Sequence, residues 1–556
     1  NFAAPQPSGS GGNQAPAVSL TSPADGTNIV FSSAPASLPL VASASDSDGS
    51  IAKVEFYTGT TKLGEMTTSP YTLLWSGFGS GSYQLTAVAT DNAGASTVST
   101  PITISVAVPP PPAALRLAQL GTNFALYWPT SITALSLQWA ADLTTPDWQE
   151  VTNSPVLSSN QYTLTLGSAG TQRFFRLGAT VDPSTLTGKM LLGYQGWFAC
   201  PGDGSPMNKW VHWFDSQIPV ATNVTVDFWP DVSELDPDEL FTTGMTLADG
   251  SPAMVYAAWN QKTVVRHFKW MEENHLDGVF LQRFTSELSN SKNFGWRNQV
   301  TRNVRAGAET YGRVFAIMYD ISSQNPTTLV STLTNDWAYL VNTMQITNSP
   351  RYIRHRGKPV VAVWGFGFTS RTNTPADAQA IISFFKAAGC TIMGGVPTYW
   401  RTLTSDSQTN AEWAAAYRSF DIISPWSVTR FNSLSGADSF KSNLIVPDRI
   451  DCLTHGIEYM PVLFPGFSWH NLYPTYALNQ IPRLGGTFYW RQAYNAISAG
   501  CTMLYGAMFD ELNEGTSMFK MAPTAAQLPA QGTFVPLNID GQNLPNDWYL
   551  RLADQA

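Results

Sequence analysis

The chain has 556 residues, of which 13% are charged and 12% aromatic, with a formal net charge of −9 and a pI near 5.2. That length exceeds what one hydrophobic core serves, so roughly two to four domains are expected. The acidic balance excludes non-specific nucleic-acid binding, which needs a basic surface, and no apolar run reaches the roughly 18–20 residues that cross a bilayer.

Residues 1–14 are rich in Pro, Gly, Ser and Asn and read as a flexible linker. They lack the basic-then-apolar pattern of a secretory leader and read as mature protein, so a secreted, periplasmic or cell-surface location is inferred from the modules that follow. From 15 to 107, short alternating segments such as "IAKVEFYTG" and "YQLTAVATD" are broken by turn residues, which predicts an antiparallel β-sandwich. The stretch is similar to bacterial immunoglobulin-like modules of secreted enzymes, which act as spacers. Its "DSDG" turn offers Asp46 and Asp48 as oxygen ligands for a structural calcium ion, the alternative being a plain solvated turn. A polyproline spacer at 108–113 and a small β-rich module at 114–181 follow; the module resembles those appended to polysaccharide-degrading enzymes.

The texture changes over 182–556. Apolar runs such as "DGVFLQRF", "RVFAIMYD" and "PVVAVWGF" alternate with segments of helical period such as "PADAQAIISFFKAAG". A multidomain chain ending in a (β/α)8 TIM barrel is predicted; an open doubly wound sheet is the alternative, but no Gly-rich phosphate fingerprint follows any strand. Barrel strands end at one mouth. Several runs end in polar or aromatic residues there, so Trp197, His212, Trp213, Asp227, Trp229, Arg283, Tyr319, Trp426 and His470 are candidate substrate-binding residues. Core packing is the competing reading for each aromatic, and pairing with a neighbouring acid is the competing reading for Arg283. The four cysteines permit two disulfides or four buried thiols.

The last strand-like run leads into "AMFDELNEGT", which gathers Asp510, Glu511 and Glu514. A helix start would collect acids in this way. A catalytic pair is the sharper reading: Glu511 and Glu514 are three apart, so a turn brings both to one side, and their repulsion and burial raise one pKa. One acid and one base is the division of labour that glycosidic cleavage requires.

On "DELNEGT", on "GYQGWFACPGDGSPMNKWVHWF" with its His212–Trp213 pair, and on the weaker "LFPGFSW" and "FDIISPW", this region resembles glycoside hydrolase family 99, the endo-α-mannosidases and endo-α-mannanases, and the family 71/99-like group. The resemblance implies a retaining endo-hydrolase. Glu511 would deprotonate the 2-hydroxyl of the substrate, giving a 1,2-anhydro sugar, and Glu514 would be the general acid/base. It implies no metal and no cofactor, with a polysaccharide as the partner and a monomer as the working form. Leu512 and Asn513 stand where the family has Trp and His, and Asp510 replaces Asn, so the sugar cleaved is not fixed by the motif. Two alternatives remain open: one glutamate acting with Asp227 or Asp320 from another strand, and a non-catalytic carbohydrate-binding or adhesion protein. No GxSxG elbow or HExxH motif supports a serine or zinc hydrolase.

Overall fold

The computed structural model describes residues 12–30, 37–76, 81–107, 115–120, 123–129, 135–141, 149–151, 153, 155–158, 161–167 and 173–556. The 1–11 and 108–114 stretches, which hold most of the expected linkers, lie outside them. The chain forms two compact units, one of 1–133 with 153–169 and one of 134–152 with 170–556.

The first unit begins with a sandwich. One sheet pairs Ala17–Ser22, Ser37–Ser45 and Tyr71–Ser76; the other runs Asn28–Val30, Ile102–Ala107, Gly81–Asp91, Ile51–Thr58 and Thr61–Met66, with Ser96–Val98 added to Gly81–Asp91. Strict alternation drives the packing: Leu85, Ala87 and Ala89 point inward with Val54, Phe56, Leu40 and Ile104, while their strand neighbours stay outside. The unit also holds an antiparallel sheet of Arg116–Leu120, Asn123–Pro129, Gln161–Gly167 and Val156–Ser158.

The second unit is a TIM-like α/β domain around a parallel sheet. Its strands are β1 (Lys189–Tyr194), β2 (Gly278–Phe284), β3 (Val314–Asp320), β4 (Lys358–Trp364), β5 (Thr391–Val396), β6 (Ile422–Pro425), β7 (Glu458–Tyr459), β8 (Val462–Leu463) and β9 (Met503–Gly506). Their order is β7-β6-β5-β4-β3-β2-β1-β9-β8, and every pairing along it is parallel. From β1 to β7 each new strand adds on the same side, so no switch point arises. This overturns the doubly wound alternative. The ladder is open between β7 and β8, which are consecutive in the chain and separated only by Met460–Pro461, where proline has no N–H to give. The Met460 N–H donates to the Ile423 carbonyl at 2.9 Å on one side, and the Pro461 carbonyl accepts the Tyr505 N–H at 3.0 Å on the other.

Helices between the strands cover the sheet, which is why β3 is buried along its whole length. Two of them illustrate how their ends are set. In the helix Ser291–Tyr311 the Asn290 side chain accepts the Lys292 and Asn293 N–H groups, and Gly312 ends the helix at φ 63°. A later helix, Pro375–Ala387, opens with a reciprocal Thr374/Asp377 capping box. All four cysteines are buried and free, which settles the disulfide question for this fold. No helix among the described residues is long and apolar enough to cross a membrane.

Candidate active site

Because the strands are parallel, the loops after β1, β2, β3, β4, β6, β8 and β9 emerge at one edge, and the acidic segment lies among them. After β9 the chain folds back on itself. Met508 N–H meets the Thr516 carbonyl at 3.1 Å, and the Glu511 carbonyl accepts the Ser517 N–H at 2.9 Å. Gly515 sits at φ 64°, and a Cβ there would lie 2.8 Å from the Ser468 nitrogen, so glycine is required where this loop meets the one after β8.

The Asp510 carboxylate accepts the N–H groups of Gln195 at 2.7 Å and Gly196 at 2.8 Å, fastening the acidic segment to the loop after β1. Burial raises its pKa to about 6, against the pull of those two hydrogen bonds. Arg483 secures the other side. Its guanidinium donates to the Gly515 and Ser517 carbonyls at 2.8 and 2.7 Å and lies between the rings of Phe228 and Tyr549.

Between these anchors stand Glu511, 5% exposed, and Glu514, half-buried at the rim. The Glu511 carboxylate accepts the Gln195 side-chain amide at 3.2 Å. Burial pushes its pKa well up, and the charges of Glu514, Asp510 and Asp320 push it further. Glu514 is raised to about 7, first by burial and then by Asp320. The two ionise as a pair, and near neutral pH the pair holds a proton.

Glu514 borders a cavity of about 550 Å³ walled by Trp426, Phe431, Phe467, Trp469 and Tyr476. Trp469 Nε1 and Gln480 Oε1 are buried there without a hydrogen-bond partner. On another side Trp197 stacks on His212 at 3.9 Å between ring centroids and on Phe284 at 5.6 Å; its Nε1 is also unpartnered. Burial, then the Arg297 charge, lowers the His212 pKa to about 4, so the ring is neutral at pH 7. Aromatic walls with unsatisfied donors and acceptors suit a polyhydroxylated ring, whose C–H face stacks and whose hydroxyls pair.

Five of the candidates read from strand ends are not at this mouth. Arg283 is buried and donates to both carboxylate oxygens of Asp336 at 2.6 Å and to Asn298 at 2.7 Å, so its fork is taken. Tyr319 gives its hydroxyl to the same Asp336 at 2.8 Å. Trp213 and Trp229 are core residues: the Trp213 indole donates to the Tyr256 carbonyl at 3.0 Å, and Trp229 packs on Trp213 and Phe534. Asp227 neither pairs with Arg283 nor faces the cavity. It accepts the Ser468 hydroxyl and the N–H groups of His470 and Asn471 at 2.8 and 2.7 Å, shaping the loop after β8. His470 belongs to that loop, its Nδ1–H donating to the Tyr476 carbonyl at 2.8 Å.

Gln195, Trp469, Gln480 and Arg483 escaped the sequence reading. The first lay within the quoted "GYQGWF" and Trp469 within "LFPGFSW", but nothing in one sequence distinguishes them from core residues. Asp236, Asp238 and Glu239 cluster at metal-ligand distances, yet Lys262 and Arg266 already neutralise them. In the sandwich, both Asp46 carboxylate oxygens are buried without a partner, while Asp48 accepts the Gln14 N–H at 3.0 Å.

Comparison with known proteins places a bacterial Ig domain at residues 16–87. No curated protein sequence matches the chain. A solved structure of the GH99 endo-α-mannosidase from Bacteroides thetaiotaomicron is similar at 14% identity, covering 67% of this chain and 97% of that one with a TM-score of 0.48. The same enzyme in complex with bis-tris-propane gives 15% identity, 67% and 96% coverage and a TM-score of 0.47. Fibronectin(III)-like modules of CbhA from Clostridium thermocellum are 31% identical, covering 17% of this chain and 99% of theirs, with a TM-score of 0.16.

Proposed function

We propose that the protein is an endo-acting, retaining glycoside hydrolase that cleaves internal bonds of an α-mannan-like or modified polysaccharide, with Glu511 and Glu514 as its catalytic pair and the second unit as a (β/α)8 barrel. One observation carries the reading: the half-buried Glu514 at the rim of an aromatic-walled cavity is coupled to the buried Glu511, and the cost of ionising both retains a proton for acid catalysis.

Glu511 takes the proton of the 2-hydroxyl, whose oxygen attacks the anomeric carbon. The glycosidic C–O bond breaks as Glu514 protonates the departing oxygen. Glu514 then takes a proton from water, the hydroxide opens the 1,2-anhydro ring at the anomeric carbon, and Glu511 returns its proton to O2. No enzyme carboxylate bonds to carbon, so the carboxylate-separation rule for retaining and inverting enzymes does not apply. In the free protein the coupled pair shares one proton near neutral pH, and in the reaction that proton lies on Glu514, against the departing oxygen.

A conventional pair is the second reading. Asp227 is committed to its loop, but Asp320 interacts electrostatically with both glutamates. We further propose export to the cell surface or medium, which the Ig module supports, action as a monomer, and a structural calcium ion held by Asp46 and Asp48, supported by the two unpartnered Asp46 oxygens.

Release of reducing ends from yeast α-mannan, α-glucans and charged algal polymers tests the catalytic reading. Oligosaccharides from one polymer, with a loss on the order of 1,000-fold in Glu514→Gln, are expected. Unchanged turnover in Glu514→Gln sinks the pair, and loss confined to Asp320→Asn favours the second reading.

A further inference from the structure

Arg371 differs from Arg297, Arg430 and Arg401 in having no carboxylate partner among the described residues. Arg297 pairs with Glu287 at 2.6 Å, Arg430 with Asp406 at 2.9 Å and Arg401 with Asp448 at 2.8 Å. Arg371, half-buried after β4, makes no ion pair among the described residues, and its Nε is buried without an acceptor. Its backbone is fixed: the N–H donates to the Phe368 carbonyl at 2.9 Å and its carbonyl accepts the Gln408 side-chain amide at 2.9 Å. An arginine held in place with a desolvated, unsatisfied donor is a recognition element.

Its surroundings say for what. Arg371 borders a cavity of about 390 Å³ whose lining is hydroxyl- and amide-rich: Ser323, Gln324, Asn325, Ser370 and Thr372. Its guanidinium carbon lies 6.0 Å from the ring centroid of Trp364, itself half-buried with an unpartnered Nε1. Trp364 meets Trp426 edge-on at 5.3 Å, and Trp426 walls the cavity that contains Glu514. A pair of tryptophans thus joins Arg371 to the wall of the cavity that Glu514 borders, and a glycan lying across those two rings would bring its substituents to Arg371. Asp320 senses the charge of Arg371 but lies beyond ion-pair distance and is satisfied by the Ser322 N–H and hydroxyl.

We propose that Arg371 and the cavity beside Trp364 form a subsite for an anionic substituent of the glycan, a sulfate ester or a uronate carboxylate. The planar guanidinium pairs with either group through two parallel N–H bonds, and in a chain of net charge −9 a local cation is what lets an anionic polymer dock. The inference rests on the glycan-cleaving reading of the neighbouring pair and names the class of polymer it takes.

Affinity gel electrophoresis on dextran sulfate, polygalacturonate and neutral dextran tests it with the full chain, using Glu514→Gln as the parent so that no polymer is cut. Retention by dextran sulfate assigns sulfate, and retention by polygalacturonate assigns carboxylate. Adding Arg371→Gln should weaken the retained arm about tenfold and leave the dextran arm unchanged. Arg371→Lys, which keeps the charge but not the fork, should fall between and controls for folding. Equal retention with and without Arg371, or retention by neither anionic polymer, overturns the proposal. The two readings fail separately: anionic binding without release of reducing ends removes the hydrolase, whereas release with Arg371-independent binding removes this subsite.

Discussion

The Glu514 carbonyl accepts the N–H of Ser468 at 3.0 Å, so the loop that carries the glutamate pair and the loop that walls the cavity are joined beside the reacting site. Arg483 reinforces that junction from beneath through the Gly515 and Ser517 carbonyls. Burial lowers its pKa only to about 10, so it stays charged at neutral pH. Arg483→Met should leave two buried carbonyls unpaired, lower kcat about 10- to 100-fold and change KM less, because aromatic contacts with the sugar persist. Steady-state kinetics with a thermal unfolding control would show it. An equal loss in kcat and stability with Arg483→Lys fully active would instead mark a merely structural cation.

Asp510 is held by both of its carboxylate oxygens. Both of its oxygens receive backbone N–H donors, a demand that an amide with one acceptor and one donor cannot meet. Asp510→Asn should therefore lower kcat/KM, on the order of tenfold. Gln195, released from its anchor, would no longer hold Glu511; Gln195→Ala should reproduce most of the loss, and the double variant should be less than additive.

The acidic segment and the alternation of strands with helices were legible because each is local: a motif in ten residues, and a period that switches between strand and helix. Which face a strand-end residue takes was not. Arg283 pairs in register with Tyr319 across β2 and β3, and both turn outward to Asp336 on the helix Pro326–Asn342. Their predecessor Gln282 turns the other way, to the Tyr505 hydroxyl at 3.0 Å. Alternation makes the parity of one residue decide between cleft and wall, and a fully apolar parallel strand offers no polar face to set that parity. Asp227 misled for a related reason: its partners, at 468–471, lie some 240 positions away in the chain. Gly193 was legible only afterwards, as the position where any side chain would collide with the Tyr505 hydroxyl and Met508 sulfur.

If Asp46 and Asp48 hold calcium, removing the ion should loosen the sandwich without touching the chemistry. Chelation should lower the unfolding temperature of the first unit, calcium should restore it, and Asp46→Ala should abolish the difference. Hydrolysis should be unchanged throughout. Melting curves indifferent to chelator would assign "DSDG" to a solvated turn.

Ionising Glu514 opposes folding, since its pKa is raised from the ordinary 4.5 to about 7. Its protonated form is favoured in the fold, so the wild type is most stable below the unfolded value and loses stability as pH rises through the folded one. Glu514→Gln should consequently melt about 1–3 °C higher than wild type at pH 8, with the gap closing below about pH 4.5, as the unfolded glutamate also becomes neutral. A gap that is constant with pH would mean that the substitution acts through packing instead.

The same ionisation sets the pH dependence of turnover. Below about 7 both glutamates are protonated and no base is available; above it the pair holds one proton and is competent, until it loses the second. kcat/KM should rise through about pH 7 and fall again well to the alkaline side. Asp320 raises Glu514 by its charge, so Asp320→Asn should move the acidic limb to lower pH while leaving substantial activity at the new optimum. A profile measured across that range separates the two catalytic readings in one experiment. A displaced limb makes Asp320 a modulator of the pair, whereas a flat, inactive profile makes it a member.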